Sequence, residues 1–502
     1  MRNFDYKTIF KVLVVFTFIT MFMGCEDFLE ENPESNLGPE NFPQSAEDAD
    51  LIVGGMTRPL YRSVFASRAF VFVAGVSDDE MTVYNTSGDR YDMDQYTYTT
   101  DNIHIRQVYE TCYQVINQAN SLVAYLPSDQ EWAKPYIATG RFYRSWMYSY
   151  LVRLYGPSIL RDTPTEEIDF DEEITKASEE EIYNFIINDL EQAQNDLPIN
   201  WTGNDSRDDG RPTQGAAKML LAKMYISSAG YPVNNSENWV KGLDKAQEVI
   251  DSGVYSLMPD FEDMFLIANQ NREESIFSIQ VPITEGLLSM SFRPRQRTSG
   301  IIDNQGWYLF CGSEDLLDTF SDNDDRKEGT FLINLEQEPS PPANYLDFRY
   351  NSAYGQVPGV QKYQDFDRDN ISDYAFRSAM GIKIFRYAEA FLIKAEAENE
   401  VNGPTAVAIE AINALRSRAN ADQISIGISQ DELREIIHEE WTFEFAYEFK
   451  RRFNMLRWGI IDDVLSSDTR AINGYAPYKK YFPIPQSAFD SGLDPSLQNP
   501  GY

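Results

Sequence analysis

The chain of 502 residues carries only two histidines, His104 and His438, and three cysteines, Cys25, Cys112 and Cys311. Two histidines exclude a multi-histidine zinc site. The segment His438-Glu439-Glu440-Trp441-Thr442 lacks the second His of a zincin helix. Three cysteines make neither a disulfide framework nor a zinc ribbon. Spacing alone leaves a Cys112–Cys311 bridge open. Basic residues are also few, 43 Lys and Arg against 79 Asp and Glu, a formal charge of −36. Nucleic-acid binding draws on clustered Lys and Arg, so it is not expected. A neutral ligand fits this balance better than a polyanion. Neither a Gly-Lys-Ser/Thr phosphate loop nor a nucleophile elbow occurs. Asp365-Phe366-Asp367-Arg368-Asp369-Asn370 begins like a calcium loop. It has Asn370 in place of the turn Gly and Phe376 in place of the closing Glu, so it is not an EF-hand. No catalytic residue, metal or cofactor is expected. Glycoside hydrolysis needs only two carboxylates, however, and an acid-rich composition does not argue for or against it.

What is present begins with an address. Arg2, Lys7 and Lys11 precede an apolar run of 12 residues, Val12 to Met23. That run is too short to cross a bilayer and has the length of a signal-peptide core. It ends in Gly24-Cys25 and is followed by Glu26-Asp27. A small residue before Cys resembles a lipoprotein processing site. The acids after it resemble the surface-export signal of Bacteroidetes lipoproteins. Residues 1–24 are therefore expected to be a signal peptide, Cys25 the lipidation site, and 25–44 the lipidated Cys with its tether. Anchoring would be by lipid alone.

Hydrophobic residues make up 42% of the chain, with 31 Phe, 30 Tyr and 7 Trp, enough to pack a sizeable core. The stripe Val108, Cys112, Val115, Ile116, Ala119, Leu122 and Val123 steps by three and four, which predicts a helix with Cys112 buried. Trp132 to Tyr155 predicts a second, stopped by Gly156-Pro157. Ser178 with Glu181 is a capping box for a helix to Leu197. Thr213 opens the next, which Gly230 closes, and Ser236 opens another. Tyr387–Glu400 and Ala406–Ala419 flank Gly403-Pro404. Ser429 with Glu432 is a second capping box, for a helix predicted to reach about Arg457. The fold class is mainly α: an irregular helical bundle with degenerate tetratricopeptide-like helix pairs, plus a loop-rich insertion with short strands. The expected regions are 45–252 (helical), 253–380 (the insertion, with Ser275–Val281 as a strand) and 381–502 (C-terminal). A second loop-like stretch, Ser77–Thr100, is crowded with Tyr, Asn and Asp.

Several motifs resemble the SusD/RagB family. Gly140-Arg141-Phe142-Tyr143-Arg144 running to Leu154-Tyr155-Gly156 is similar to its early helix. Asp189-Leu190 with Leu197-Pro198, and Gly210-Arg211-Pro212-Thr213, are similar to the next two signatures. Arg386-Tyr387-Ala388-Glu389-Ala390 and Arg451-Arg452-Phe453 with Arg457-Trp458-Gly459 follow. The ending, Phe482-Pro483-Ile484-Pro485-Gln486 to Asn499-Pro500-Gly501-Tyr502, is the most specific. Phe449 stands where the family commonly has Gly. The bottom-up content of these motifs is structural, and none of their residues is read as a binding residue.

The resemblance implies an outer-membrane lipoprotein facing outward. Such a protein binds a nutrient, most often a glycan and sometimes a peptide, without transforming it. It delivers that nutrient to a SusC-like TonB-dependent transporter. The alternative is a helical glycoside hydrolase. Ligand contacts are expected from exposed aromatics and amides on loops. The candidates are Tyr84, Asn85 and Tyr91 in the first loop-rich stretch, and Trp307 and Tyr308 in the second.

Overall fold

Caps and breakers set the helix boundaries. The computed structural model describes residues 43–62, 65–83, 87–167, 173–201, 210–282, 284, 309–332, 359–363 and 378–502. The N-terminal elements are α1 (Ala46–Tyr61), π-helical turns at Phe65–Ala69 and Phe72–Val76, β1 (Met81–Val83) and α2 (Asp89–Asp94). Longer helices follow: α3 (Ile103–Tyr125), α4 (Lys134–Tyr155), α5 (Glu179–Asp196), α6 (Gln214–Ala229) and α7 (Asn238–Asp251). The middle holds β2 (Ser275–Ile279), β3 (Phe310–Gly312), α8 (Glu314–Thr319), α9 (Arg326–Thr330), β4 (Phe331–Leu332) and β5 (Gly359–Val360). The C-terminal part has β6 (Ile382–Arg386), α10 (Tyr387–Asn402), α11 (Ala406–Arg418) and α12 (Gln430–Phe445). It ends in α13 (Arg451–Arg457), α14 (Ile461–Ser467) and α15 (Gln486–Asp490).

Both capping boxes form, at Ser178 with Glu181 and at Ser429 with Glu432. Each satisfies two backbone N–H groups that a helix start leaves unpaired. Gly156, Gly403 and Gly459 take the positive φ that ends α4, α10 and the α13 turn. Successive helices pack on one another from α3 to α7, and α10 packs on α7, α11 and α12. This is the tetratricopeptide-like pairing, and the fold is mainly helical. The strands form three two-stranded antiparallel pairs, β1–β3, β2–β6 and β4–β5. Gly140 lets α3 and α4 approach, since a Cβ there would lie 2.9 Å from the Ala119 carbonyl oxygen. No helix among the described residues is long and apolar enough to cross a membrane.

Two boundaries differ from the sequence reading. The helix assigned to Ser236 starts at Asn238, with no side-chain cap. Ser236 instead accepts a backbone bond from Trp239 in a preceding turn, and Asn238 donates to Ser228 Oγ at 2.8 Å. The helix expected to run to Arg457 breaks after Phe445 and restarts at Arg451. Tyr447 and Phe449 are left-handed there, at φ 64° and 60°. The left-handed region costs a side-chain-bearing residue roughly 1–2 kcal/mol. Burial of Phe449 against Phe70 and Tyr363 offsets it, since a buried Phe gains about 1.5–3 kcal/mol.

The break delivers carboxylates to a buried ion cluster. Arg386, 1% exposed, closes the end of β6. It donates to Glu448 from Nε (2.7 Å) and Nη2 (2.8 Å), and from Nη1 to Glu274 (2.7 Å) and Glu444 (3.0 Å). Arg418 and Arg326 also reach Glu444, and Lys362 donates to Glu448 at 2.9 Å. Burial alone would raise the Glu444 carboxyl. The Arg418, Arg386 and Arg326 charges outweigh it and hold the group far below the usual range. Other ion pairs fasten helices to each other. Arg144 Nη2 on α4 donates to Asp189 on α5 at 2.8 Å, and Arg457 Nη2 on α13 to Glu396 on α10 at 2.7 Å. His438 stacks on Trp458 at 3.7 Å, a packing role. The motifs that carry the family resemblance are thus framework. The C-terminal segment straps across the end of α4. Phe482 N donates to the Leu154 carbonyl at 2.8 Å, and Asn499 Nδ2 to that of Tyr155 at 2.7 Å.

The entrance to β1 is held by three arginines from the C-terminal part. Arg451 grips Asp79 with two bonds of 2.7 Å. Arg452 donates to the Ser77 carbonyl at 2.8 Å, and Arg470 to the Asp78 carbonyl at 2.7 Å. Glu80 accepts from the Tyr447 N–H at 3.0 Å, next to the helix break. Burial pushes the Glu80 carboxyl up to about 8 against the lowering effect of that bond. Asp78 is raised well above its usual range by burial and by the charges of Glu80 and Asp79. A raised carboxyl contributes stability that is complete below its unfolded value and is lost as pH climbs to the folded value. The Glu80→Gln variant keeps an acceptor for Tyr447. Its stability relative to the parent is expected to rise by at least about 1 kcal/mol between pH 5 and pH 8. Urea unfolding across that range reads the difference, and a pH-independent difference would refute the assignment.

Candidate binding site

The two loop-rich stretches meet at one two-stranded ladder. β1 and β3 pair with Met81 opposite Gly312, Thr82 opposite Cys311 and Val83 opposite Phe310. Val83 is the last residue of β1 and Phe310 the first of β3. The chain therefore leaves β1 toward Tyr84-Asn85 and enters β3 from Trp307-Tyr308 at the same end of the ladder. Those four residues lie outside the described residues. Tyr91, the fifth candidate, is half-buried on α2, eight residues along the chain from Val83 at the end of β1. Cys25 also lies outside the described residues, as does the acidic run 365–370. Cys112 and Cys311 are buried thiols and are not joined by a disulfide.

An aromatic stack lies at this end. Phe310 packs on Phe72 with ring centroids 4.6 Å apart, and Phe72 stacks on His104 at 4.3 Å. The Arg90 guanidinium lies over the Phe72 ring, 5.7 Å from its centroid. Burial, then the charges of Arg90 and Arg68, push the His104 imidazole down to about 3, so it is neutral at physiological pH. Its Nδ1 is buried with no hydrogen-bond partner among the described residues. Burial and the charge of Arg68 lower Arg90, which forms no ion pair with a carboxylate among the described residues.

One residue fixes α2 against α3. Asn102 Oδ1 accepts from the His104 N–H at 3.0 Å and the Ile105 N–H at 3.4 Å, capping α3. Its Nδ2 donates to the Asp89 carbonyl at 3.0 Å. Arg90 and Tyr91 follow Asp89 directly, so the cap that starts α3 also positions them. The arrangement offers an aromatic phenol and a planar guanidinium beside the end of a two-stranded ladder. Such groups suit a ligand with an apolar face and a rim of hydroxyls. The sequence reading named Tyr91 as a candidate but not Phe72, Arg90 or His104. Arg90 was legible as the neighbour of Tyr91, whereas Phe72 looked like ordinary core.

Comparison with known proteins agrees with this fold. A model of the SusD family matches residues 336–502, and one described as starch-binding associating with outer membrane matches residues 27–226. SusD-like protein P2 of Formosa agariphila is 26% identical, with 98% of this chain and 99% of that protein covered. Starch-binding protein SusD of Bacteroides thetaiotaomicron is 24% identical, with 72% of each covered. Among solved structures, a SusD homolog from Bacteroides thetaiotaomicron superposes with a TM-score of 0.78. It is 21% identical, with 92% of this chain and 98% of that one covered. Surface glycan-binding protein A from the same organism, in complex with laminarihexaose, has a TM-score of 0.74. It is 21% identical, with 90% of this chain and 99% of that one covered. Two family matches cover most of the chain, one in each half, and the curated relatives align with both halves: the chain belongs to the SusD/RagB family.

Proposed function

We propose that this chain is an outward-facing outer-membrane lipoprotein. It binds a glycan and passes it intact to a SusC-like TonB-dependent transporter. One observation supports the reading: β1 and β3, which belong to the two aromatic loop-rich stretches, pair so that Val83 and Phe310 share one ladder end, beside the Phe310–Phe72–His104 stack. The solved relative that holds laminarihexaose supports a glycan as ligand. The match to a family associating with the outer membrane supports the location. In this reading residues 1–24 are the signal peptide, Cys25 bears the lipid and 25–44 form the tether. Tyr84, Asn85, Tyr91, Trp307 and Tyr308 contact the ligand. Arg90 adds donors for hydroxyl oxygens.

A hydrolase would need an accessible carboxylate pair, one member raised. Among the described residues beside β1, the raised carboxyls are Asp78, Glu80 and Asp94, each at most 3% exposed and tied into backbone or arginine contacts. That placement favours binding without cleavage.

Calorimetry of the chain from Glu26 onward with laminarihexaose, maltohexaose and a uronate hexamer tests the binding role. Mass spectrometry of the same samples reads ligand integrity. One probe is expected to bind and be recovered whole, with Tyr91→Ala and Trp307→Ala each weakening it about ten-fold, or roughly 1.4 kcal/mol. A shortened sugar, or both variants binding like the parent, would overturn the reading. For the anchor, Cys25→Ser is expected to move the protein out of the outer-membrane fraction of the cell. Retention there after a salt wash would refute lipid anchoring.

A further inference from the structure

A cavity lies along the same helix as His104, on a different stretch of its surface. It has a volume of about 690 Å³ and runs between α3, the 159–165 segment and α15, with Pro59 of α1 at its edge. That size falls within the roughly 300–1,000 Å³ usual for small-molecule sites. Gln114, Asn117 and Gln118 line it from one face of α3, as residues three and four apart do. Tyr113 supplies a ring, tilted against Tyr109 at a centroid distance of 4.9 Å.

The walls are held in place before any ligand arrives. Tyr113 donates to the Ile159 carbonyl at 3.0 Å, and Asn117 Oδ1 accepts from the Thr165 N–H at 2.9 Å. Ser487 donates to Glu110 at 2.9 Å, fixing α15 to α3. The side-chain amides of Gln114 and Gln118 make no hydrogen bond among the described residues. Glu110 and Arg161 are the ionised groups of the lining, and their charges cancel. In a chain of net charge −36 this is a locally neutral pocket. It combines an aromatic surface, paired amides and hydroxyls, with little for a polyanion or a cation to hold.

We propose that this groove is a second saccharide-binding site, taking uncharged sugar units of the glycan held at the ladder end. The inference rests on the reading that the protein binds glycans. At 1.5 Å per residue, Gln118 lies about 20 Å along α3 from His104. A single polysaccharide chain can span that distance. Engaging both points raises its apparent affinity without new contacts at either, through effective concentration.

Hydrogen exchange with mass spectrometry tests this on the chain from Glu26 onward, with laminarihexaose, maltohexaose and a uronate hexamer as probes. A neutral hexamer is expected to slow exchange in peptides from 108–120 and 486–494. The effect should persist in Tyr91→Ala and disappear in Gln118→Trp, which fills the groove from an exposed helix position. In Gln118→Trp, protection around 87–94 should remain. Protection at 87–94 alone would overturn the groove and leave the first site standing. Groove protection that vanishes in Tyr91→Ala would overturn it as an effect transmitted from the first site. Groove protection by the uronate hexamer alone would overturn its neutral specificity. No protection in either place would overturn both.

Discussion

Arg386 holds three glutamates, Glu274, Glu444 and Glu448, in a volume almost closed to water. Each comes from a different part of the architecture: the segment before β2, the end of α12, and the break that follows it. A buried ion cluster of this kind adds little net stability over a well-packed apolar one. Losing one partner, however, leaves charges stranded at a cost of about 3–5 kcal/mol. Its effect is on geometry. The glutamates can be satisfied only if β6, α12 and the loop before β2 arrive together. The helix must also break after Phe445 for Glu448 to turn inward.

That break matters beyond the cluster. The Tyr447 N–H at the break is taken by Glu80, and α13 begins just beyond with Arg451 and Arg452. Those arginines and Arg470 hold the backbone and acids from Ser77 to Asp79. β1 is thus positioned by the C-terminal part of the chain, although it lies near the N-terminal end of the fold. The ladder end with Phe72, His104, Arg90 and Tyr91 inherits that placement, and Asn102 locks α2 to it. The short strands proposed to carry the ligand site are positioned by a helical scaffold through a few charged contacts.

Much of this was legible in the sequence where the determinants are local. Ser178 with Glu181, Ser429 with Glu432, and Gly156 or Gly403 mark helix ends through contacts within a turn. The mainly helical class followed from stripes such as Val108 to Val123. The helix read through to Arg457 failed because periodicity does continue past Phe445. Only the buried partners of Glu444, Glu448 and Glu80 reveal why the backbone turns. Ser236 failed in a similar way, since Asn238 is claimed by Ser228 on α6. The pairing of β1 with β3 joins distant segments, and no local pattern announces it. Tyr91 was proposed from composition, whereas Arg90 and His104 stand out only through their contacts with the Phe72 ring.

The proposed site requires residues on both sides of the ladder end to contact one glycan. Hydroxyl-radical footprinting of the chain from Glu26 onward, titrated with whichever hexasaccharide calorimetry shows to bind, tests it most directly. Oxidation of Tyr84, Tyr91, Trp307 and Tyr308 should fall together, at one midpoint concentration, with the sugar recovered intact. Protection confined to one side of the ladder, or distinct midpoints for the two sides, would contradict the claim.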